Sequence, residues 1–146
     1  MKSRLVAVGL TFGLLCAGMI PFAKTIAAEN SPPSASAKDT KGFKNVSVEE
    51  FDRLRADGKA VVLDVRTAEE FKQGHIPGAV NLDVNGAEFR QKAAKLDPKK
   101  TYLVHCAAGR RSAKACNILA PLQFTNLYNL EEGFGAWEKA GKPVKK

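Results

Sequence analysis

The chain has 146 residues, 45% of them hydrophobic and 26% charged, with 23 basic against 15 acidic side chains and a formal net charge of +8. That length allows one ordinary domain, and the balance of apolar and charged residues excludes a disordered or collagen-like chain. Three cysteines are too few for a disulfide-stapled mini-protein, and scattered lysines with few interleaved aromatics provide no basic stripe for nucleic acid.

Lys2 and Arg4 precede an apolar run from Leu5 to Ile20, Pro21 breaks it, and small residues lead up to Ala28. This order predicts a secretory signal peptide over residues 1–28, export to the periplasm, and no membrane association after cleavage. Cys16 leaves with the peptide. Its removal takes Lys2, Arg4 and Lys24 and no acid, so the net charge falls from +8 to +5. Nothing after residue 28 approaches the run of about 20 apolar residues that a membrane span needs. Residues 29–42 contain no large apolar side chain and read as a flexible tether, with a folded domain over residues 43–146.

Within that domain, Ser47 and Glu50 form a capping-box pattern ahead of a helix through Phe51 and Leu54 that Gly58 ends. Residues 60–65, AVVLDV, are apolar almost throughout, as in a strand covered on both faces. Thr67 and Glu70 form a second capping box for a short helix ending at Gly74, and Pro77-Gly78 turns the chain into a strand from Val80 to Leu82. A helical segment from about Gly86 to Ala94 is closed by Asp97-Pro98. Residues 101–106 make the next buried strand. Ala115, Ile118, Leu119 and Leu122 then recur at helical spacing, followed by a strand over residues 125–130 and a last helix carrying Phe134 and Trp137. Alternating strands and helices at this spacing imply an α/β fold, a parallel sheet with helices on both faces.

Cys106 stands at the carboxyl end of a buried strand, where ligands bind in open α/β sheets. Ala107, Ala108 and Gly109 are small enough for a tight loop, and the amides of residues 107–111 with the following helix start would cradle an anion around the sulfur. Arg110 and Arg111 reinforce that field, which favours thiolate over thiol. The pattern points to a nucleophilic cysteine acting on an anionic substrate. Cys116 sits at core spacing on the helix and reads as a small hydrophobe, with a resolving thiol as the alternative.

Three segments, DVRTAEEFKQGHIPGAVNL, YLVHCAAGRRSAKA and LEEGFGAW, resemble the rhodanese family of sulfurtransferases in family order and spacing. The resemblance covers roughly residues 43–144 and implies a five-stranded parallel sheet flanked by helices. It also implies that Cys106 takes the outer sulfur of thiosulfate as a persulfide and passes it to a thiophilic acceptor such as cyanide or a thiol, with no metal or organic cofactor. Arg110 and Arg111 would attract the small anionic donor, Arg111 more closely because it stands at the loop-closing position. Asp64 and Arg66 match the family's Asp-Val-Arg element and read as scaffold, with Glu70 a possible partner for Arg66. His75 would fix its turn, and His105 would point away from the nucleophile. The expected protein is a monomer with no nucleic-acid partner.

A cysteine phosphatase or arsenate reductase is the nearest competitor, but those enzymes place an arginine six residues after the cysteine, where this chain has Ser112. A persulfide carrier with little turnover is the other alternative. Two further departures bear on the structure. Glu132-Gly133 stands where the family usually has two glycines, which questions that turn and puts a negative charge near the pocket. Pro121 and Gln123 occupy a helix end where glycine is more usual, so that helix should stop or kink early.

Overall fold

The computed structural model describes residues 39–40 and 42–146. The expected signal peptide over residues 1–28 and most of the expected tether lie outside the described residues. Five parallel strands form the sheet, in the order β2 (Phe43–Val46), β6 (Asn126–Leu130), β5 (Thr101–His105), β3 (Ala60–Asp64), β4 (Val80–Asn81). A two-residue strand, β1 (Asp39–Thr40), adds antiparallel to the β2 edge and falls within the segment expected as tether.

The two faces of β5 show how the sequence builds the layers. Tyr102, Val104 and Cys106 alternate into one core with Phe89 and Ala93 of α3 (Phe89–Ala93) and with Ala115, Cys116 and Leu119 of α4 (Arg110–Leu119). Leu103 packs on the opposite face with Val48 and Phe51 of α1 (Val48–Ala56) and with Phe134 and Trp137 of α5 (Gly133–Lys139). Successive strand residues point to opposite sides, so one run of apolar residues serves both layers. Trp137 is fully buried, and its indole N–H donates to Pro143 O at 2.9 Å, so the largest apolar side chain enters the core without an unpaired donor.

β5 is the middle strand. The chain runs outward from β3 to β4 and then returns to the other side of β3 as β5, so the carboxyl ends of β3 and β5 flank the point where strand order reverses. Crevices open at such points. The short α2 (Ala68–Gln73) lies beyond the end of β3, entered through a complete capping box: Thr67 Oγ1 accepts from Glu70 N at 3.2 Å and Glu70 Oε2 accepts from Thr67 N at 3.1 Å.

Three points differ from the sequence reading, and a fourth follows it. Strand β2 was not anticipated, because FKNV is short, half polar and held by pairing with β6. At α1 only half of the capping box forms: Ser47 accepts from Glu50 N, but the Glu50 carboxylate turns to Arg53 Nε at 2.8 Å. The helical segment from Gly86 to Ala94 contracts to α3. Helix α4 ends at Leu119 and passes through a 3₁₀ turn, Ala120–Leu122, to Gln123 at φ 67°. The early stop is the expected consequence of Pro121, and Gln123 takes the left-handed conformation that glycine usually supplies.

Left-handed backbone costs an L-residue about 1–2 kcal/mol, against the extra 0.5–1 kcal/mol of unfolded-state freedom that glycine brings. Gln123→Gly should therefore raise stability by about 0.5–1 kcal/mol. Urea unfolding checks this: the midpoint should rise with an unchanged slope, and an unchanged or lower midpoint would show that the turn holds Gln123 without strain.

Candidate active site

The site is assembled where β5 stops. Cys106 is 1% exposed and forms the floor of an open cleft of about 480 Å³, whose walls are Ala107, Ala108, Arg110, Arg111 and Lys114. The loop turns at Gly109, which has φ 78°; a Cβ there would overlap the Glu131 carbonyl. Helix α4 starts immediately afterwards, with its first bond from Ala113 N to Gly109 O at 3.0 Å.

Two backbone bonds fix the outer side of the loop. Phe134 N donates to Cys106 O at 2.7 Å and Gly135 N donates to Ala107 O at 3.1 Å, so the opening of α5 takes up the loop's carbonyls. Gly133, at φ 69°, allows this approach: a Cβ on it would lie 2.5 Å from the Ala107 carbonyl. Glu132 stands at φ −90°, ψ −7°, a region open to any residue, so the single glycine suffices for the turn. Glu132 is exposed and is not one of the residues that wall the cleft.

The inner side of the loop carries donors. Burial pushes the Cys106 thiol up, but the Ser112 hydroxyl and the backbone N–H groups of Ser112, Ala108 and Arg111 outweigh it and leave the thiol below its ordinary value. Ser112 Oγ lies 3.4 Å from Cys106 Sγ and 2.9 Å from Gly109 O, so the single proton of this buried hydroxyl is shared between two acceptors. Ser112 was not singled out from the sequence. Its position at the start of α4, one turn beyond Gly109, is the signal that could have found it.

Of the two arginines, Arg110 is exposed on the cleft wall. Arg111 is held in a two-pronged pair with Glu70, Nη1–Oε2 and Nη2–Oε1 both 2.7 Å. These bonds pull the Glu70 carboxyl down to about 2 and push the guanidinium further up. Glu70 thus joins the entry of α2 to the entry of α4, and it is not the partner of Arg66. Arg66 instead pairs with Asp64, Nη2–Oδ2 at 2.6 Å, and donates to Gly74 O at 2.8 Å, both side chains being buried. The Asp64 carboxylate pairs with Arg66 because Arg66 lies between the end of β3 and the start of α2, outside any helix, where the four-residue helical spacing does not apply.

His105 lies on the face opposite Cys106, between the rings of Phe51 and Phe134, with Nε2 3.6 Å from Asp64 Oδ2. Burial holds it down to about 4 against the pull of Asp64, so it is neutral at physiological pH. His75 lies away from the cleft wall, its Nδ1 3.0 Å from Phe71 O and its ring stacked on Phe71. Cys116 is fully buried and its thiol is pushed up to about 12, chiefly by burial. Cys106 and Cys116 are both free thiols.

Comparison with known proteins bears on the family and the fold. A family model described as the Rhodanese-like domain matches residues 47–140. The thiosulfate sulfurtransferase GlpE of Pseudomonas savastanoi pv. phaseolicola is 38% identical over 96 residues, covering 65% of this chain and 87% of that protein. Thiosulfate sulfurtransferase 16, chloroplastic, of Arabidopsis thaliana is 36% identical over 93 residues, 57% of this chain and 78% of that protein. The crystal structure of a rhodanese-related protein from Thermoplasma volcanium superposes with a TM-score of 0.60 at 32% identity, over 69% of this chain and 96% of that one.

The donor set around Cys106 makes a testable statement. Ser112→Ala should raise the thiol pKa and slow alkylation by iodoacetamide near neutral pH about fivefold or more, since a hydrogen bond to a charged group contributes about 1.5–3 kcal/mol. At alkaline pH, where both thiols are ionised, the two rates should converge. Equal rates across the pH range would remove the hydroxyl from the account.

Proposed function

The chain belongs to the rhodanese-like domain family, and from that premise we propose that it is a sulfurtransferase that moves the sulfane sulfur of thiosulfate through a persulfide on Cys106. The observation that carries this reading is a buried cysteine sulfur at the floor of an open cleft, 3.4 Å from the Ser112 hydroxyl and followed at once by the start of helix α4, with the backbone N–H groups of residues 108, 111 and 112 favouring its charged form. Such a cradle stabilises a negative sulfur and is already oriented before the substrate arrives.

The Cys106 thiolate attacks the outer sulfur of thiosulfate. A new S–S bond forms to Cys106, the S–S bond of the donor breaks, and its electron pair leaves with sulfite. The outer sulfur of the persulfide then lies in the ring of donors. A thiophilic acceptor attacks that sulfur, cyanide becoming thiocyanate, and the electron pair of the broken bond returns to Cys106 as thiolate. We assign no side chain the role of base: the cradle shifts Cys106 toward the thiolate, and the ionised fraction is the nucleophile. The neutral, buried His105 faces the other core and is unsuited to that role.

Loop geometry favours this chemistry over phosphatase chemistry. The residue six after the nucleophile is Ser112, which gives its hydroxyl to the sulfur, while Arg111 is tied to Glu70. The basic, apolar and small-residue order of residues 1–28 supports placing the activity in the periplasm.

The test is thiocyanate formation from thiosulfate and cyanide by the purified chain. Cys106→Ser should abolish turnover, because this cradle does not ionise a hydroxyl near neutral pH. Cys116→Ala should keep most of the activity and cost about 1 kcal/mol of stability, a modest core truncation. Equal losses in both variants would point to a two-cysteine redox protein, and a stable persulfide on Cys106 without turnover would point to a sulfur carrier.

A further inference from the structure

The cleft carries three cations on one helix, and they are not equivalent. The charge of Arg111 is compensated by the two-pronged Glu70 pair. Arg110 and Lys114 also line the cleft, and among the described residues neither forms an ion pair with a carboxylate. They stand four residues apart on α4 and therefore share one face of the helix. Lys114 is not left to wander. Its Nζ donates to Asn85 Oδ1 at 3.0 Å, across from the loop that follows β4. Asn85 is itself held in place, its N–H donating to Asp83 Oδ1 at 2.9 Å.

A neutral amide oxygen is an instructive partner. It orients the ammonium without cancelling its charge, whereas a carboxylate at the same place would do both. Of the acids near the cleft, Glu70 is spent on Arg111 and Thr67, whereas Asp83 accepts only the neutral backbone N–H of Asn85 and keeps its charge. Among the described residues, the cations of the cleft that no carboxylate pairs with are Arg110 and Lys114.

We infer that Lys114, together with Arg110, is the specificity-determining cation that reads the charge of the sulfur donor, that Asn85 is its positioning residue, and that Arg111 acts as a strut between α2 and α4. The inference rests on the sulfurtransferase reading for its substrate and selects doubly charged donors over singly charged ones. Lys114 was not legible as a site residue in the sequence, because its role depends on a loop 29 positions away.

The experiment compares thiosulfate, a dianion, with methanethiosulfonate, a monoanion that offers the same outer sulfur. Removing one cation near the anionic head should scale with donor charge. Lys114→Gln should raise KM for thiosulfate about tenfold and for methanethiosulfonate about threefold, with kcat little changed. Lys114→Arg should restore discrimination. Asn85→Ala should raise KM for thiosulfate about threefold and add nothing on top of Lys114→Gln.

A second measurement separates this inference from the reading beneath it: calorimetric binding of thiosulfate to Cys106→Ser protein, where no transfer occurs. If the parent chain makes no thiocyanate but thiosulfate binding still weakens on Lys114→Gln, the transfer reading fails and the anion-reading role stands. If transfer proceeds while Lys114→Gln changes both donors equally, or neither, the role of Lys114 is overturned and the transfer reading stands.

Discussion

Two backbone hydrogen bonds, Phe134 N–H to Cys106 O and Gly135 N–H to Ala107 O, set the geometry on which the rest of the site depends. In a trans peptide the carbonyl and the following N–H point in opposite directions. Drawing the Ala107 carbonyl outward into α5 therefore turns the Ala108 N–H inward, toward the sulfur. The first amides of α4 complete the ring. The loop is held from outside by one helix and furnished from inside by another, and Gly133 is the residue whose missing Cβ lets the outer helix come close enough.

The consequence is visible in the two free cysteines of the described residues. Cys106 and Cys116 belong to the same core and both are buried, yet their thiols move in opposite directions. Cys116 meets mainly burial, which disfavours its charged form. Cys106 meets burial as well, but four donors aimed at its sulfur reverse the sign. Proximity to the core does not make a cysteine inert; the lack of oriented donors does. The same logic separates the cations. Arg111 and Arg110 are neighbours in sequence, but Glu70 converts the first into a brace between two helix entries.

How much of this was legible in the sequence follows from how local each signal is. The alternation of strands and helices, the Thr67–Glu70 box and the turn at Gly109 are set by residues within one helical turn of each other, and each is where the pattern placed it. Strand β2 was missed because Lys44 and Asn45 interrupt its apolar pattern and its partner strand lies at the far end of the chain. The pairing of Glu70 with Arg111 spans 41 positions and exists only because β3 and β5 are adjacent. Arg66 was matched to Glu70 by helical spacing, but it precedes the helix and pairs with Asp64 instead. Ser112 was read only as the place where another enzyme class has its arginine, although one turn of helix suffices to bring it to the sulfur.

If the outer lock controls the inner ring, disturbing it should disable Cys106 without replacing any residue that faces the sulfur. The most direct measurement is intact-mass analysis of the parent chain and Gly133→Ala after exposure to thiosulfate, with circular dichroism confirming that both are folded. The parent should gain one sulfur atom on Cys106, and cyanide should remove it. Gly133→Ala, whose new Cβ would press on the Ala107 carbonyl, should gain little or none. A folded Gly133→Ala protein that holds the persulfide as the parent does would contradict the claim that the helix α5 contact builds the sulfur cradle.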